Sequence, residues 1–313
     1  MVLSLYRLLL LRKVLAEVGH RIGVVTVTYN SQSLLRPFLR CVFSQTIEDF
    51  LLYAVDNCSQ DGTVAILRQQ SDRRLRCIAN PDNRGVAEGN NQGIRAALED
   101  ECETILLLNN DTEFGPDLFL QLHTGLADHG AEMTTCKMLY ADPPGRIWCA
   151  GGWLDPSRFF SAFHYGMNQQ DQGQFDFARR VSYSPTCCLL VRKSVFERIG
   201  FMDHRYFVYQ DDVDFCYRCW RQDIAIWYLP RAVLRHKVSA LTGGAESEFA
   251  IRYMTRNRAY FLRKHLAGPE ALLWATHFLL ITAPKRLLTG SDSLHIWRLR
   301  CKSLFEGWRM ASG

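Results

Sequence analysis

The chain has 313 residues, of which 48% are hydrophobic and 22% are charged, and its formal net charge is +5 at pH 7. This composition excludes a disordered chain, and the length fits one large domain or one domain with a substantial appendage. The positive charge is concentrated at the C-terminal end, where eleven Lys and Arg residues accompany three acids from Ala250 onward.

Apolar runs alternate with helical patterns in the first third of the chain. The predicted strands are residues 22–30, 50–56, 75–79 and 104–108, and the predicted helices are residues 34–45, 63–70 and 85–98. Three strand–helix repeats followed by a fourth strand predict an α/β fold, with a doubly wound, mostly parallel, Rossmann-like sheet.

The second half of the chain is less regular. Residues 133–183 mix strand-like pieces with Gly, Pro and a polar loop. A strand at 188–191, helices at 194–200 and 212–222, and a strand at 224–229 follow. After Glu246 the pattern is helical and basic to the end.

Polar residues lie at the carboxyl ends of three of the early strands, at Tyr29-Asn30, Asp56-Asn57 and residues 109–111. Ligands of open α/β sheets bind at the carboxyl ends of the strands, so these residues are expected along one edge. A carboxylate such as Asp111 at a strand tip suits a hard divalent cation together with phosphate oxygens. A plain turn is the alternative, since Asn and Asp are turn formers.

Three glycines lie four residues apart, at Gly85, Gly89 and Gly93. They match neither the dinucleotide-binding pattern GxGxxG nor the phosphate-binding pattern GxxxxGK[ST]. The asparagines between them could donate hydrogen bonds to a ribose or a phosphate. Tight packing of a helix on the sheet explains the spacing equally well.

Three carboxylates occur within four residues, at Asp211, Asp212 and Asp214. Like charges this close require a cation, raised pKa values or full solvation. The strongly aromatic segment before them favours a cleft, in which one carboxylate could act as a general base. Favourable charge at a helix start is the alternative. His236 would gain a metal-binding role only by converging on Asp111.

The cysteines and the longest apolar segments bear on the compartment. Eleven cysteines without a repeating spacing favour reduced thiols in a cytoplasmic protein. Cys216 and Cys219 form a CxxC without a second pair, so we expect two thiols on a helix near the core. Residues 8–11 are too short for a secretory signal, and residues 271–284 fall short of the roughly 20 residues of a membrane span.

Taken together, the motifs resemble the family 2 inverting glycosyltransferases of the GT-A fold, especially their rhamnosyltransferase-like branch. The resemblance covers about residues 22–260. Its segments, in chain order, are residues 27–30, 56–63, 83–93, 108–112 and 207–218, then His236, then Arg256-Asn257. It implies an N-terminal helical segment at 1–20, a GT-A catalytic domain at 21–248 and a basic helical C-terminal extension at 249–313.

The resemblance also implies roles for individual residues. The nucleotide-binding set is Thr28, Tyr29, Asn30, Asp56, Asn83, Gly85, Asn90 and Asn110. Asp111 and His236 would hold Mg²⁺ or Mn²⁺ at the diphosphate. Asp212 would be the general base, with Asp211 as the other catalytic acid.

The acceptor side is less closely matched. Arg256 and Asn257 would contact the acceptor or the diphosphate. Asn109 replaces the first Asp of the family's DxD motif, and Asp211 stands where the family usually has Glu. Residues 184–187 replace a small Gly-Ala pair found near the acceptor in relatives.

The function implied is inverting transfer of a sugar, such as rhamnose, from a dTDP- or UDP-sugar to a hydroxyl of a glycan or lipid-linked acceptor in cell-envelope polysaccharide synthesis. Two alternatives stay open: a sugar nucleotidyltransferase and a non-catalytic nucleotide-sugar-binding protein. We expect no nucleic-acid partner, and a homo-oligomer remains open.

The tail combines apolar residues at 274 and 278–281 with a set of basic residues: Lys285, Arg286, Arg298, Arg300 and Lys302. An amphipathic surface of this kind is attracted to anionic lipid, which would place the protein peripherally on the inner face of the cell membrane. Packing of the tail on the catalytic domain or on another subunit is the alternative.

Overall fold

The computed structural model describes residues 21–237 and 246–310. Its centre is a ten-stranded sheet in the order β10-β12-β6-β11-β4-β1-β2-β3, with β5 paired to β12 and β7 paired to β6. The first strands are β1 (Ile22–Thr28), β2 (Phe50–Asp56), β3 (Leu75–Ala79), β4 (Thr104–Leu108) and β5 (Thr112–Phe114). Strands β1, β2, β3 and β4 run parallel.

Helices cover both faces of this parallel part. They are α1 (Gln32–Phe43), α2 (Thr63–Arg68), α3 (Gly85–Glu99) and α4 (Leu118–Asp128). Alternate residues of the buried strands enter two cores, so that Val24 and Leu106 lie on one face of the sheet and Val25 and Leu107 on the other. The predicted strand–helix alternation and the α/β fold class are thus confirmed.

The second half of the sheet mixes directions. Its strands are β6 (Met133–Tyr140), β7 (Ile147–Cys149), β10 (Arg179–Val181), β11 (Cys188–Arg192) and β12 (Ile226–His236), and β8 (Gly152–Asp155) pairs with β9 (Ser161–His164) in a separate hairpin. Strand β11 is antiparallel to both β4 and β6, whereas β6 and β12 are parallel.

Strand β12 is longer than the sequence predicted. Pro230 was expected to end it, because proline cannot donate to a strand ladder. The pairing with β6 instead shifts between Leu229 and Val233 and then continues. The irregularity accommodates the proline. His236 therefore lies within the strand instead of following it.

Helices α5 (Lys193–Ile199) and α6 (Asp211–Arg221) complete the central part. Cys216 and Cys219 are buried on α6, as expected for thiols near the core. The C-terminal helices are α7 (Glu248–His265), α8 (Gly268–His277), a π-helical turn (Phe278–Thr282), α9 (Ala283–Leu288) and α10 (Leu294–Arg309).

The predicted C-terminal helices are present, and the first of them, α7, begins at Glu248. The predicted segment 1–20 lies outside the described residues. Across the two described ranges, every helix is too short or too polar to cross a membrane.

Candidate active site

A buried hydrogen-bond network joins the ends of β1 and β2. The hydroxyl of Thr28 donates to Asp56 Oδ1 at 2.9 Å, and Ser59 adds its hydroxyl at 2.6 Å and its backbone N–H at 2.9 Å. Asp56 is 1% exposed. This network fixes the carboxylate at the strand-end edge, where it was predicted to bind a nucleobase.

The neighbouring turns keep the other predicted strand-end residues in place. Tyr29 and Asn30 are exposed at this edge, and Asn30, at φ +50°, accepts a hydrogen bond from the backbone of Gln60 at 2.8 Å. The Asn110 side chain is buried and donates to the carbonyl of Val27 at 2.6 Å. It therefore ties the end of β4 to the end of β1.

Gly85 opens α3 against the loop that precedes α6. Its φ is +79°, and a Cβ at this position would lie 2.4 Å from the carbonyl oxygen of Phe207. Asn83 accepts the backbone N–H of Gly85 at 3.0 Å, and Val86 donates its own N–H to Phe207 at 2.6 Å. The glycine allows this backbone-to-backbone approach.

The other two glycines of α3, Gly89 and Gly93, pack against strand β1. Cβ atoms at Gly89 and Gly93 would collide with Val27 and Val25 of β1, so close helix–sheet packing accounts for their spacing. Asn90, a predicted nucleotide contact, is 5% exposed, and its amide lies 3.7 Å from the sulfur of Met202. In the structure it thus faces the protein interior.

Asp111 and His236 meet, as the resemblance implied. Asp111 Oδ1 lies 3.1 Å from His236 Nε2, yet Oδ1 and the imidazole Nδ1 are both buried and have no hydrogen-bond partner. Neighbouring ligands at about 2.1 Å from an octahedral cation are separated by about 3 Å. The carboxylate and the imidazole therefore fit a shared divalent cation.

These two residues would supply part of a coordination shell. Among residues 21–237 and 246–310, no group of three His, Cys, Asp or Glu side chains is arranged to hold a metal. Mg²⁺ usually takes few protein ligands and completes its shell with phosphate oxygens and water. A pair of protein ligands suits a cation that binds together with a diphosphate.

The acid pair lies at the start of α6. Asp211 is 4% exposed, whereas Asp212 is half-buried and accepts the hydroxyl of Tyr183 on Oδ2 at 2.7 Å and the N–H of Val213 on Oδ1 at 2.8 Å. Burial raises the pKa of both carboxyl groups. The charge of Asp212 further raises the pKa of Asp211, while Tyr183 lowers the pKa of Asp212.

The third acid has a different role. Asp214 is fully buried and is bound by Arg218 at 2.8 Å, Lys264 at 2.7 Å and His265 at 2.6 Å. Despite burial, these bonds hold its pKa well below the usual range. Since Lys264 and His265 belong to α7, Asp214 fastens the C-terminal helices to the helix that carries the acid pair.

Arg256 and Asn257 lie behind the loop that precedes α6. This loop holds Phe207, Tyr209 and Gln210 at positive φ, a strained arrangement that needs support from its surroundings. The fully buried amide of Asn257 donates to the carbonyls of Tyr206, Val208 and Tyr209, and Arg256 donates to those of Arg205 and Tyr206. Both side chains support the loop.

An aromatic row, Tyr183, His164, Trp148 and His236, connects the acid pair to the Asp111 pair. Tyr183 stacks on His164 with ring centroids 5.7 Å apart, and Trp148 contacts His164 at 5.0 Å and His236 at 4.4 Å. Sequence reasoning missed Tyr183, His164 and Trp148, because they fall in the irregular region between residues 133 and 183. His164 lies on β9, Trp148 lies on β7, and Tyr183 pairs with Gly152 of β8, so the spacing of the three residues in the sequence carries no signal of their contact.

Comparison with known proteins identifies the family. A model described as Glycosyl transferase family 2 matches residues 23–200. The low-salt glycan biosynthesis hexosyltransferase Agl10 of Haloferax volcanii is 25% identical over 241 residues, which are 76% of this chain and 74% of that protein. The dTDP-rhamnosyl transferase RfbF of Shigella flexneri is 23% identical over 305 residues, covering 93% and 97%.

Solved structures share the architecture. The mannosyltransferase PcManGT of Pyrobaculum calidifontis, in complex with GDP-Man and Mn²⁺, superposes with a TM-score of 0.58 at 16% identity, covering 94% of this chain and 76% of that one. TarS of S. aureus in complex with UDP-GlcNAc also superposes with a TM-score of 0.58 at 16% identity, covering 92% of this chain and 80% of the TarS chain. The sheet and flanking helices therefore form a GT-A fold. Because the family model covers more than half of its length, the chain belongs to glycosyl transferase family 2, with named rhamnosyltransferases among its relatives.

Proposed function

We propose that this glycosyltransferase moves a sugar, with inversion, from a dTDP- or UDP-sugar to a hydroxyl acceptor. The observation that carries the proposal is the pair of half-buried Asp111 and buried His236, whose facing atoms lie 3.1 Å apart with the buried Asp111 Oδ1 left without a hydrogen bond. A cation-binding pair at the carboxyl ends of the strands suits a diphosphate at the point where open α/β sheets bind ligands. The strand-end residues Thr28, Tyr29, Asn30 and Asp56 would hold the nucleoside.

Asp212 supplies the second part of the chemistry. In an inverting transfer, the acceptor oxygen forms a bond to the anomeric carbon while the bond from that carbon to the diphosphate oxygen breaks. The acceptor proton passes to Asp212, and the electron pair of the broken bond leaves with the diphosphate. A bound Mg²⁺ or Mn²⁺ would neutralise the charge developing there. A pKa raised by burial suits a carboxylate to general-base work near neutral pH.

The relatives support the choice of donor and acceptor. One is named a dTDP-rhamnosyl transferase, and another is an N-acetylglucosaminyl-diphospho-decaprenol L-rhamnosyltransferase of Mycobacterium tuberculosis, 27% identical over 245 residues. From these two names we infer that this enzyme transfers rhamnose to a glycan or lipid-linked acceptor in cell-envelope polysaccharide synthesis. Arg256 and Asn257 would act on the acceptor side by holding the loop before Asp211.

A panel of nucleotide-sugars, scored by thermal unfolding with and without Mn²⁺, tests the donor and the metal. A ligand that binds the folded state raises the unfolding temperature by mass action. We expect a dTDP- or UDP-sugar to stabilise the protein only when Mn²⁺ or Mg²⁺ is present. Equal stabilisation and full transfer in excess EDTA would refute the role of the cation.

The two alternatives differ in their need for Asp212. A non-catalytic nucleotide-sugar-binding protein would not need this carboxylate, and a sugar nucleotidyltransferase would release pyrophosphate from a nucleoside triphosphate. We expect Asp212→Asn to bind the donor normally and to lose transfer by roughly a hundredfold or more, the scale of general-base catalysis. Unchanged transfer, or pyrophosphate release by the wild type, would refute the proposal.

We further propose that the C-terminal helices attach the enzyme to the inner face of the cell membrane. Along α8, the π-helical turn and α9, small buried residues (Ala271, Ala275 and Ala283) face the protein. The opposite positions are apolar and exposed: Leu272, Leu273, Leu280, Ile281 and Leu288. An apolar stripe of this kind, accompanied by basic residues, is typical of an interfacial helix.

Charge favours a lipid surface over a second subunit. Between residues 271 and 291 the chain has no acid, and Lys285 beside the stripe is exposed, as are Arg298 and Lys302 on α10. Anionic headgroups complement this charge, whereas a second copy would oppose like charges. The same surface on a homo-oligomer is the outcome that would overturn the membrane proposal.

A further inference from the structure

The two adjacent acids at the start of α6 have different partners. The Asp212 carboxylate accepts the Tyr183 hydroxyl at 2.7 Å and the Val213 N–H at 2.8 Å, so both of its oxygens are engaged. Asp211 is more deeply buried, and the donors that face it are backbone N–H groups of its own turn. A side-chain donor therefore distinguishes Asp212 from its neighbour.

Tyr183 is held firmly. It is 5% exposed, its ring stacks on His164, and its backbone N–H donates to the carbonyl of Gly152 at 3.2 Å. His164 is in turn fixed by an Nδ1 contact of 3.1 Å with the carbonyl of Trp148. The phenol thus approaches Asp212 from a segment that pairs with Gly152 at the edge of the β8–β9 hairpin, while Asp212 lies on a helix, and the hydrogen bond sets their relative position.

The surroundings determine which acid ionises first. The titratable groups that face Asp212 are Asp211, Tyr183 and the buried thiols of Cys149 and Cys216. Burial raises the pKa of both thiols and of the Tyr183 phenol, so these groups stay protonated. The phenol therefore donates, and a donor favours the charged form of a carboxylate. Within the described part of the chain, Asp211 has no such side-chain donor, and it faces the charge of Asp212.

We propose that Tyr183 is a positioning residue that selects Asp212 as the base: its hydroxyl orients this carboxylate and keeps it ionised, so that a proton held by the acid pair resides on Asp211. This inference rests on the proposed role of Asp212 in sugar transfer. Tyr183 itself exchanges no proton with the acceptor. Its removal should alter the ionisation of the base before it alters binding of the donor.

The test is the pH profile of kcat/KM for Tyr183→Phe, which keeps the ring and removes the hydroxyl. We expect the acidic limb to move to higher pH, because Asp212 loses the bond that lowers its pKa. At a pH below this limb, we expect transfer to fall by roughly 10- to 100-fold, the scale of one hydrogen bond to a charged group. The donor KM should change little.

Tyr53→Phe is the matched control, since the buried Tyr53 hydroxyl donates to Asp100 at 2.6 Å beside Cys102, before β4 begins and thus away from the strand ends. This variant should keep the wild-type profile. Thermal unfolding and donor binding of both variants separate a folding defect from a shifted base. If Asp212→Asn abolishes transfer while Tyr183→Phe leaves the limb in place, this inference is wrong and the proposed function stands. If Asp212→Asn is active, the proposed function itself fails.

Discussion

Gly85 shows how one residue can decide the shape of the candidate site where α3 meets the loop that precedes α6. At φ +79°, and with a Cβ position 2.4 Å from a backbone oxygen, alanine is both strained and obstructed. We expect Gly85→Ala to lower the free energy of unfolding by about 1–3 kcal/mol and to weaken donor binding. Urea unfolding and donor titration measure the two effects.

Gly115→Ala is the control for this substitution, because no atom lies within 4 Å of its Cβ position. Gly115→Ala should change neither the free energy of unfolding nor the donor affinity appreciably. A stable Gly85→Ala protein with normal donor affinity would show that the contact between α3 and the Phe207 loop does not shape the site.

Asp111 gives the most direct residue-scale test of the cation. We expect Asp111→Asn to weaken Mn²⁺-dependent donor binding by more than about tenfold, the scale of losing even a supporting residue of a metal site. Glu113→Gln removes an exposed carboxylate two residues away, paired with Lys237 at 2.7 Å, and should bind normally. Equal Mn²⁺ dependence in the two variants would exclude Asp111 as a ligand.

At the scale of single residues, the sequence indicates the candidate site residues more clearly than the residues that support them. The strand-end tips and the acid run stand out because polar residues interrupt apolar patterns. Tyr183, His164 and Trp148 do not, because their role arises from ring contacts between segments that are separate in the sequence. Arg256 and Asn257 were identified by resemblance, but their contacts with the Phe207 loop could not be foreseen without the loop's positive φ values.

The pairing of α6 with α7 shows that the C-terminal helices belong to the site. Lys264 on α7 binds Asp214 at 2.7 Å and Asp203 at 2.8 Å. We expect Lys264→Met to destabilise the protein by about 3 kcal/mol at neutral pH, because buried carboxylates lose a partner. Chemical unfolding across pH measures the effect.

The same ion pairs predict a pH dependence. Burial opposes ionisation of Asp203, but bonds from Arg205 and Lys264 outweigh it and lower its pKa to about 2. A lowered carboxyl pKa gives stability that is present above the unfolded value of about 3.9 and is lost as pH falls through the folded value. The difference between Lys264→Met and wild type should therefore shrink between about pH 4 and pH 2.

Arg252→Met is the control on the same helix, since Arg252 forms an exposed pair with Glu306 at 3.0 Å. Exposed ion pairs contribute little to stability, so we expect the free energy of unfolding to change by less than about 1 kcal/mol. If both variants lose equal stability, the ion pairs of Lys264 with Asp203 and Asp214 contribute no more to stability than the exposed pair of Arg252.

Element boundaries followed from the sequence wherever local pattern decides them. Strands β2, β3 and β4 have the predicted limits, because apolar runs end at polar turns. Strand β12 does not, because its pairing with β6 outweighs the local effect of Pro230. The sequence gives no sign that Lys264 on α7 is mostly buried, because only its distant partners Asp203 and Asp214 explain its burial.

For the whole molecule, the open question is where the enzyme works. Leu273 and Leu280 are 63% and 71% exposed on the apolar stripe. Each buried leucine contributes about 1.5–3 kcal/mol, so we expect the double variant Leu273→Glu, Leu280→Glu to bind phosphatidylglycerol vesicles more than tenfold more weakly. Vesicle sedimentation measures this loss.

Met167→Glu is the matched control, because Met167 is 49% exposed on a loop outside the C-terminal helices. It should bind vesicles like the wild type. A concentration-dependent dimer that the double leucine variant dissolves, without any vesicle binding by the wild type, would assign the stripe to a second copy.

The anomeric configuration of the product is the most direct test of the proposed inverting sugar transfer with Asp212 as the base. With the donor chosen from the panel and Mn²⁺ present, ¹H NMR during turnover should show the anomeric configuration opposite to that of the donor. Asp212→Asn should give no product signal on the same timescale. Retained configuration would contradict inverting transfer, and full turnover by Asp212→Asn would contradict the role of Asp212 as the base.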